Sequence, residues 1–239
     1  MLNPFMSIPI AATLLLLSGA TSPKMPQPQP GGMPKHSEEK KVAEIGEEAP
    51  MFELKDQHGK THKLSDYKGK IVVLEWFNER CPYCKGVWAS GLIPKTLTDL
   101  GKLDSEVVYL TMNSTADRSE EDVLESGAEF IEEMEVEVPM LMDYNGKVGR
   151  AYGARTTPHM FVIDAEGVLV YQGAISDDQR NKEGEKAETH VMRAINQLNA
   201  GEEVSPSYVQ PWGCSVKYAR GGKQDHPKRP RRPRSPASP

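Results

Sequence analysis

The stretch Ile71-Val72-Val73-Leu74-Glu75-Trp76-Phe77, followed shortly by Cys81-Pro82-Tyr83-Cys84, decides the fold of this chain. The first part is a continuous apolar run with one acid inside it, which is typical of a central strand in a sheet covered on both faces. Pro82 suits the first turn of a helix, because the N–H that proline lacks would have no partner there. The sequence therefore predicts a buried strand that leads into a helix with two cysteines at its start.

This position at the start of a helix indicates which reactions the two cysteines can carry out. Cys81 would stand at the helix N-terminus, where free N–H groups and the helix dipole stabilise a thiolate. Cys84 would lie one turn further on, where it can attack a mixed disulfide formed at Cys81. We expect Cys81 to be the exposed nucleophile with a low pKa, and Cys84 to be the buried resolving thiol. A CxxC between a strand and a helix favours this redox function.

A metal or haem site is the alternative reading of the same motif. Zinc would need two further ligands, and neither Cys214 nor the six histidines show a paired ligand spacing. Covalent haem attachment would need a histidine after the second cysteine, where this chain has Lys85. We therefore expect no metal and no other cofactor.

Glu75 is the acid inside the apolar strand, six residues before Cys81. Burial of a carboxylate is unfavourable, so its pKa should rise, and the group could then hold or relay a proton. The alternative is that Glu75 reaches solvent at the end of the strand.

Further strands and helices are predicted around this motif. A hairpin (52–54 with 61–64) precedes it, and Pro94 should kink the helix 82–100 that follows. Strands separated by helices give parallel pairs, while a final hairpin adds an antiparallel edge. The predicted fold is α/β, with a central mixed sheet flanked by helices and an N-terminal β-hairpin extension. The later elements are strands at 107–112, 138–142, 160–163 and 168–171, and helices after Ser119, at 146–152 and at 186–198.

The ends of the 239-residue chain differ from its middle. The apolar run 8–17, followed by Ser18-Gly19-Ala20, is typical of a signal peptide cleaved after residue 20, although an uncleaved anchor is the alternative. We therefore expect an exported, periplasmic or otherwise extracytoplasmic protein. The expected organisation is a signal peptide (1–20), a flexible linker (21–43), a folded domain (44–203) and a C-terminal extension with a disordered basic Pro/Arg tail (204–239).

Charge is unevenly distributed. The net charge is −5, yet residues 217–239 hold eight basic residues and one acid, which leaves −12 for the rest. An acidic body argues against nucleic-acid binding by the folded domain. The basic tail either contacts anionic surfaces weakly or stays solvated without a partner.

The chain resembles the thioredoxin superfamily over about residues 44–200. Its opening, from Ile45-Gly46 to Leu64-Ser65-Asp66-Tyr67-Lys68-Gly69-Lys70, is similar to that of peroxiredoxin-like redoxins and periplasmic thiol-disulfide enzymes. Thr156-Thr157-Pro158 resembles the cis-proline loop that faces the CxxC, and Glu75 stands where thioredoxins carry a buried acid. The resemblance implies a cis Pro158 and a backbone at Thr157 that pairs with a substrate peptide. Pro82 and Tyr83 are further expected substrate contacts.

Cys214 lies in Gly213-Cys214-Ser215-Val216-Lys217-Tyr218, which resembles a segment near the C-terminus of some redoxins. It is either an additional resolving thiol or a free or partner-linked thiol in a docking strand.

These observations predict a thiol-disulfide oxidoreductase that exchanges disulfides with exported proteins through Cys81 and Cys84. The expected partners are protein thiols or disulfides and a redox partner protein. One alternative is a thiol-dependent peroxidase, although Asn78 and Leu74 replace the threonine and proline that a peroxiredoxin needs before its cysteine. The other is a non-catalytic thiol or metal carrier module.

Overall fold

Strand β3 (Ile71–Trp76) is buried along its whole length, as its apolar run predicts. It lies inside a six-stranded sheet of the computed structural model, which describes residues 42–219. The predicted signal peptide, most of the linker and the basic tail lie outside these residues. In spatial order the sheet contains β5 (Met140–Met142), β4 (Val107–Asn113), β3, β7 (His159–Ile163), β8 (Leu169–Gly173) and β9 (Tyr208–Val209).

The pairing directions match the predicted mixed sheet. Strands β3, β4 and β5 are parallel, because helical connections return the chain to the same edge. Strand β7 runs antiparallel to β3, and β8 runs antiparallel to β7. The N-terminal hairpin of β1 (Glu53–Lys55) and β2 (Thr61–Lys63) is also confirmed. The helices are α1 (Pro82–Ala89), α2 (Leu92–Leu100), α3 (Glu120–Glu133), α4 (Lys147–Tyr152) and α5 (His190–Asn199).

The side chains of β3 point alternately to the two faces of the sheet, and each face is covered by its own core layer. Val73 and Phe77 pack among apolar residues from α1, α2, α3 and α5. Val72, Leu74 and Trp76 face the other layer, which includes residues from the N-terminal segment. Because side chains alternate along a strand, Glu75 shares the face of Val73 and Phe77, which is the face that also buries both cysteines of the motif.

The helix predicted for 82–100 is two helices, and the position predicted for its kink is wrong. The break lies at Gly91, whose φ of +84° is the left-handed conformation that glycine adopts readily. Pro94 lies in the first turn of α2, where a missing N–H leaves no hydrogen bond unmade. The kink therefore belongs to the glycine and not to the proline.

The start of α3 follows its sequence. The side chain of Ser119 accepts a hydrogen bond from the backbone N–H of Asp122, and three acids occupy the first turn. Both features stabilise a helix N-terminus, because they satisfy or neutralise its free N–H groups.

The residues after α5 take part in the fold. Strand β9 pairs with β8 at the sheet edge, and β10 (Cys214–Ser215) pairs with β6 (Thr156–Thr157). The packed structure thus continues into the first part of the predicted C-terminal extension, which begins at 204. Within residues 42–219, no helix has the length and apolar character needed to cross a membrane.

Candidate active site

Cys81 occupies the position immediately before α1. Its φ and ψ of −76° and 121° are extended, and its carbonyl accepts the first helical bond from the N–H of Lys85 at 2.9 Å. Its own N–H donates to the carbonyl of Asn78 at 3.0 Å. The thiol is thereby placed at the end of the helix that carries free N–H groups, as the strand–CxxC–helix pattern predicts.

The loop between β3 and Cys81 is tied down by Glu79. This carboxylate is buried and forms an ion pair with Arg118, whose side chain is also largely buried. The hydroxyl of Ser126 donates to the same carboxylate at 2.8 Å. Since Glu79 lies two residues before Cys81, this cluster fixes the approach of the chain to the thiol.

The pKa of one thiol of the motif is lowered and the pKa of the other is raised. A hydrogen bond from the Cys84 thiol is the largest cause that lowers the pKa of Cys81, which falls to about 4. The backbone N–H of Cys84, in the first turn of α1, contributes as well. Burial raises the pKa of Cys84, and the neighbouring negative charge of Glu75 adds to this effect. Cys81 is therefore a thiolate at neutral pH, and Cys84 is a thiol.

The expectation that Cys81 is exposed is wrong. The residue is only 3% exposed, because the C-terminal segment and the cis-proline loop cover it, while Cys84 is fully buried as expected. In its thiol form Cys81 donates to the carbonyl of Thr157 at 3.0 Å. A substrate can therefore reach the Cys81 sulfur only when one of these covering segments moves aside.

Glu75 has no exposed surface, so the alternative of a solvated strand end is wrong. Its carboxylate accepts hydrogen bonds from the indole N–H of Trp88 at 3.1 Å and from the hydroxyl of Tyr109 at 2.7 Å. Burial raises the pKa of Glu75 to about 7, and both hydrogen bonds oppose this rise. Such a carboxylate can take up or release a proton near neutral pH.

The loop that faces the cysteines has the expected backbone. The Thr157–Pro158 peptide bond is cis, and both residues are buried. The backbone of Thr157 is already paired, because Cys214 lies opposite it in the register of β6 and β10. Pro82 and Tyr83 are exposed beside this loop, at the start of α1.

The structure thus brings together every residue selected from the sequence, Cys214 included. Trp212 and Tyr109 are further neighbours that sequence reasoning did not find. Trp212 packs against Tyr83 with ring centroids 5.9 Å apart. Tyr109 reaches Glu75 from the adjacent strand, a contact that the need of a buried acid for donors could have suggested. Burial lowers the pKa of His159 to about 3, so this ring is neutral.

Among residues 42–219, no group of three or more His, Cys, Asp or Glu side chains is arranged so that it could hold a metal ion.

Comparison with known proteins gives two long matches whose names denote thiol-disulfide exchange and one short match to a peroxiredoxin. The chain is 30% identical over 161 residues to the thiol-disulfide oxidoreductase ResA of Bacillus cereus, over 66% of this chain and 82% of that protein. It is 26% identical over 176 residues to the thiol:disulfide interchange protein DsbE of Vibrio cholerae, over 73% and 86% of the two chains. A shorter match to the peroxiredoxin Bcp of Bacillus subtilis is 55% identical over 42 residues, 17% of this chain and 27% of that one.

A solved structure supports the same fold. A hypothetical protein from Sinorhizobium meliloti superimposes with a TM-score of 0.65 at 25% identity, over 75% of this chain and 97% of that chain. The family model described as AhpC/TSA matches residues 45–172, which is more than half of the chain. Together with the α/β sheet and the helices that flank it, these matches show that the chain belongs to the AhpC/TSA family of thioredoxin-like redoxins.

Proposed function

We propose that this protein is a thiol-disulfide oxidoreductase in which Cys81 and Cys84 are the redox pair. The observation that carries the proposal is the paired placement of the two thiols. One stands as a thiolate before α1, and the other lies buried one turn away with a raised pKa. Two relatives with names of this kind support the same activity.

The reaction follows from the two acidities. The Cys81 thiolate attacks a substrate disulfide, forms a mixed disulfide and releases one substrate thiolate, which takes up a proton. Cys84 then loses its proton and attacks the Cys81 sulfur, which breaks the mixed disulfide and releases the second substrate thiolate. The substrate gains two electrons, and Cys81 and Cys84 become a disulfide. The reverse sequence oxidises a dithiol.

Glu75 has the role of proton acceptor for Cys84 in this proposal. Deprotonation of a buried thiol is unfavourable without a nearby base. The side chain of Glu75 lies on the cysteine face of β3, and its charge acts on Cys84. A carboxylate with a pKa near 7 can accept the proton and return it to solvent or to the next thiol.

Turnover of a protein disulfide with a dithiol reductant tests the main proposal. We expect turnover by the wild type, no turnover by Cys81→Ser, and accumulation of a substrate-linked species in Cys84→Ser. Wild-type turnover that survives in Cys81→Ser would contradict the proposal.

A thiol peroxidase is the second candidate, favoured by the short Bcp-like stretch and by the thiolate at Cys81. Asn78 and Leu74 stand where that chemistry needs threonine and proline. Peroxide consumption with a thiol reductant, measured beside disulfide turnover, separates the two. A faster reaction with peroxide than with disulfide would favour the peroxidase.

Export is part of the proposal and rests on the sequence of the first 20 residues. The substrates would then be thiols and disulfides of proteins outside the cytoplasm. Expression of the whole chain in a bacterium, followed by fractionation and N-terminal sequencing, should find a mature protein that begins at Thr21. An intact N-terminus in the cytoplasmic fraction would contradict export.

A further inference from the structure

The segment 211–218, here called the strap, crosses the candidate active site as an added strand. Cys214 and Ser215 pair antiparallel with Thr157 and Thr156. The pairing continues where the N–H of Val216 donates to the carbonyl of Arg155 at 3.1 Å. The strap therefore fills the edge of β6 beside the cysteines.

Both ends of the strap are anchored. The indole of Trp212 is 9% exposed and donates to the carbonyl of Ser176 at 2.8 Å. At the other end, the hydroxyl of Tyr218 donates to the carbonyl of Ala154 at 2.9 Å. The carbonyl of Lys217 accepts from the N–H of Ala116 at 2.7 Å. These bonds set the strap in one register on β6.

Gly213 lets the strap approach the cysteine motif closely. Its φ is +131°, and a Cβ at this position would lie 2.2 Å from the carbonyl oxygen of Thr157. The same carbonyl is the partner of the Cys81 thiol at 3.0 Å. A side chain at position 213 would thus push the strap away from the thiol.

Two thiols act on the acidity of Cys81. One is Cys84 in α1, and the other is Cys214 in the strap. Cys214 lies opposite Thr157 in the strand register, and the carbonyl of Thr157 is within 3.0 Å of the Cys81 sulfur, so the strap places Cys214 beside Cys81.

We propose that the strap is an internal substrate, and that Cys214 forms a disulfide with Cys81 in the position a substrate cysteine would occupy. The inference rests on the proposed function, because a disulfide acquired from a substrate supplies the oxidation. Since Cys81 is only 3% exposed beneath this cover, an external peptide gains access by displacing the strap. An extended peptide would then add to β6 as a strand, as peptides do at open sheet edges.

The exchange is balanced within one chain. In the oxidised protein the Cys214 thiolate attacks the Cys81 sulfur of the Cys81–Cys84 disulfide. The new bond joins Cys214 to Cys81, and the electron pair of the broken bond leaves on Cys84. Cys84 takes up a proton in place of the one that Cys214 has lost. One disulfide is broken and one is formed, so no further oxidant or reductant is used.

In the full chain, which has three cysteines, the variant Cys84→Ser leaves only Cys81 and Cys214 to form a disulfide. One equivalent of the aromatic disulfide DTNB should first form a mixed disulfide at Cys81, and Cys214 should then displace the second coloured thiolate. We expect two thiolates per reagent molecule, a monomer whose mass lacks two hydrogens, and a peptide cross-link between Cys81 and Cys214. The matched control Cys84→Ser/Cys214→Ser should release one thiolate and keep the adduct.

A stable adduct at Cys81 in Cys84→Ser, without the cross-link, would overturn the internal-substrate proposal. Failure of the proposed function has a different signature. In that case Cys214→Ser, which retains Cys81 and Cys84, would form no disulfide between them and would turn over no protein disulfide.

Gly213→Ala tests the strap itself, with Gly201→Ala as its control. Gly201 also has a positive φ, +70°, but a Cβ there meets nothing within 4 Å. We expect Gly213→Ala to slow formation of the Cys81–Cys214 cross-link in the Cys84→Ser background at least tenfold. In the Cys84-containing protein it should lower KM for a peptide disulfide. Gly201→Ala should change neither, and equal cross-linking in both variants would contradict the role of the strap.

Discussion

The acidity of Cys81 depends on a hydrogen bond in which the Cys84 thiol is the donor. The hydrogen bond from the Cys84 thiol is the largest cause of the lowered pKa of Cys81. Helix N–H groups alone therefore do not account for the thiolate, although the sequence suggests them first.

Replacement of Cys84 should raise the pKa of Cys81 from about 4. Cys84→Ala removes the donor, whereas Cys84→Ser keeps a hydroxyl that can donate. We expect a larger upward shift in Cys84→Ala than in Cys84→Ser, measured by the ultraviolet absorbance of the thiolate against pH in the Cys214→Ser background. An unchanged pKa in Cys84→Ala would show that the helix N-terminus is sufficient.

Glu75 is positioned by two donors, and this makes its proton uptake testable. It can accept a proton only when it is ionised, so resolution of a mixed disulfide by Cys84 should accelerate as the pH rises through about 7. Because the hydrogen bond from Tyr109 lowers the pKa of Glu75, Tyr109→Phe should shift this midpoint to higher pH.

Glu75→Gln should abolish the midpoint and slow resolution, about 10²-fold if general-base catalysis of ordinary size is lost. Attack by Cys81 should stay nearly unchanged. Stopped-flow release of a coloured thiolate in the Cys214→Ser background separates the two steps. Equal resolution rates in Glu75→Gln and in its parent would remove the proton-acceptor role.

At the scale of elements, the break between α1 and α2 sets the direction of the cysteine helix. Gly91 carries the positive φ, while Pro94 occupies a position that tolerates proline. The two residues lie close in sequence and only the glycine produces the bend, so they provide a matched pair of variants.

Gly91→Ala should destabilise the fold by about 1–2 kcal/mol, because an L-residue adopts the left-handed conformation with strain. Space is not the reason, since a Cβ there would lie 3.4 Å from Glu185, an ordinary contact. Pro94→Ala should change stability by less than about 1 kcal/mol. Urea unfolding of both variants measures the difference, and a larger loss in Pro94→Ala would restore the proline as the source of the kink.

At the scale of the whole molecule, the C-terminal residues complete both the core and the site. Val204 and Trp212 are 7% and 9% exposed and belong to the same core layer as Cys81 and Cys84. The predicted boundary at 203 would therefore leave this layer uncovered.

A chain that ends at residue 203 should be less stable than one that ends at 219 by at least about 3 kcal/mol, the usual loss when a buried tryptophan is removed. Alkylation of Cys81 should also be faster in the shorter chain, because its cover is gone. Urea unfolding and labelling kinetics check both effects. Equal stability of the two chains would show that 204–219 is an appendage to an independent domain.

The sequence by itself determined the central strand, the start of α1 and the placement of two thiols one turn apart at that start. These depend on local signals: a continuous apolar run, a proline in a first turn, and a two-residue spacing between thiols. The buried acid was also predictable, because a carboxylate inside such a run has few ways to reach water. Its donors, Trp88 and Tyr109, come from separate elements and required the packed structure.

Only the tertiary structure decided that Cys81 is covered and that Cys214 lies beside it. Position 214 is 133 residues beyond position 81 in the sequence, and no periodicity or spacing connects residues at that distance. The contact depends on the pairing of two short strands, β6 and β10, and on the close approach at Gly213. Such pairings follow from the way the core closes around Trp212, which is a property of the whole packed molecule and not of any one segment.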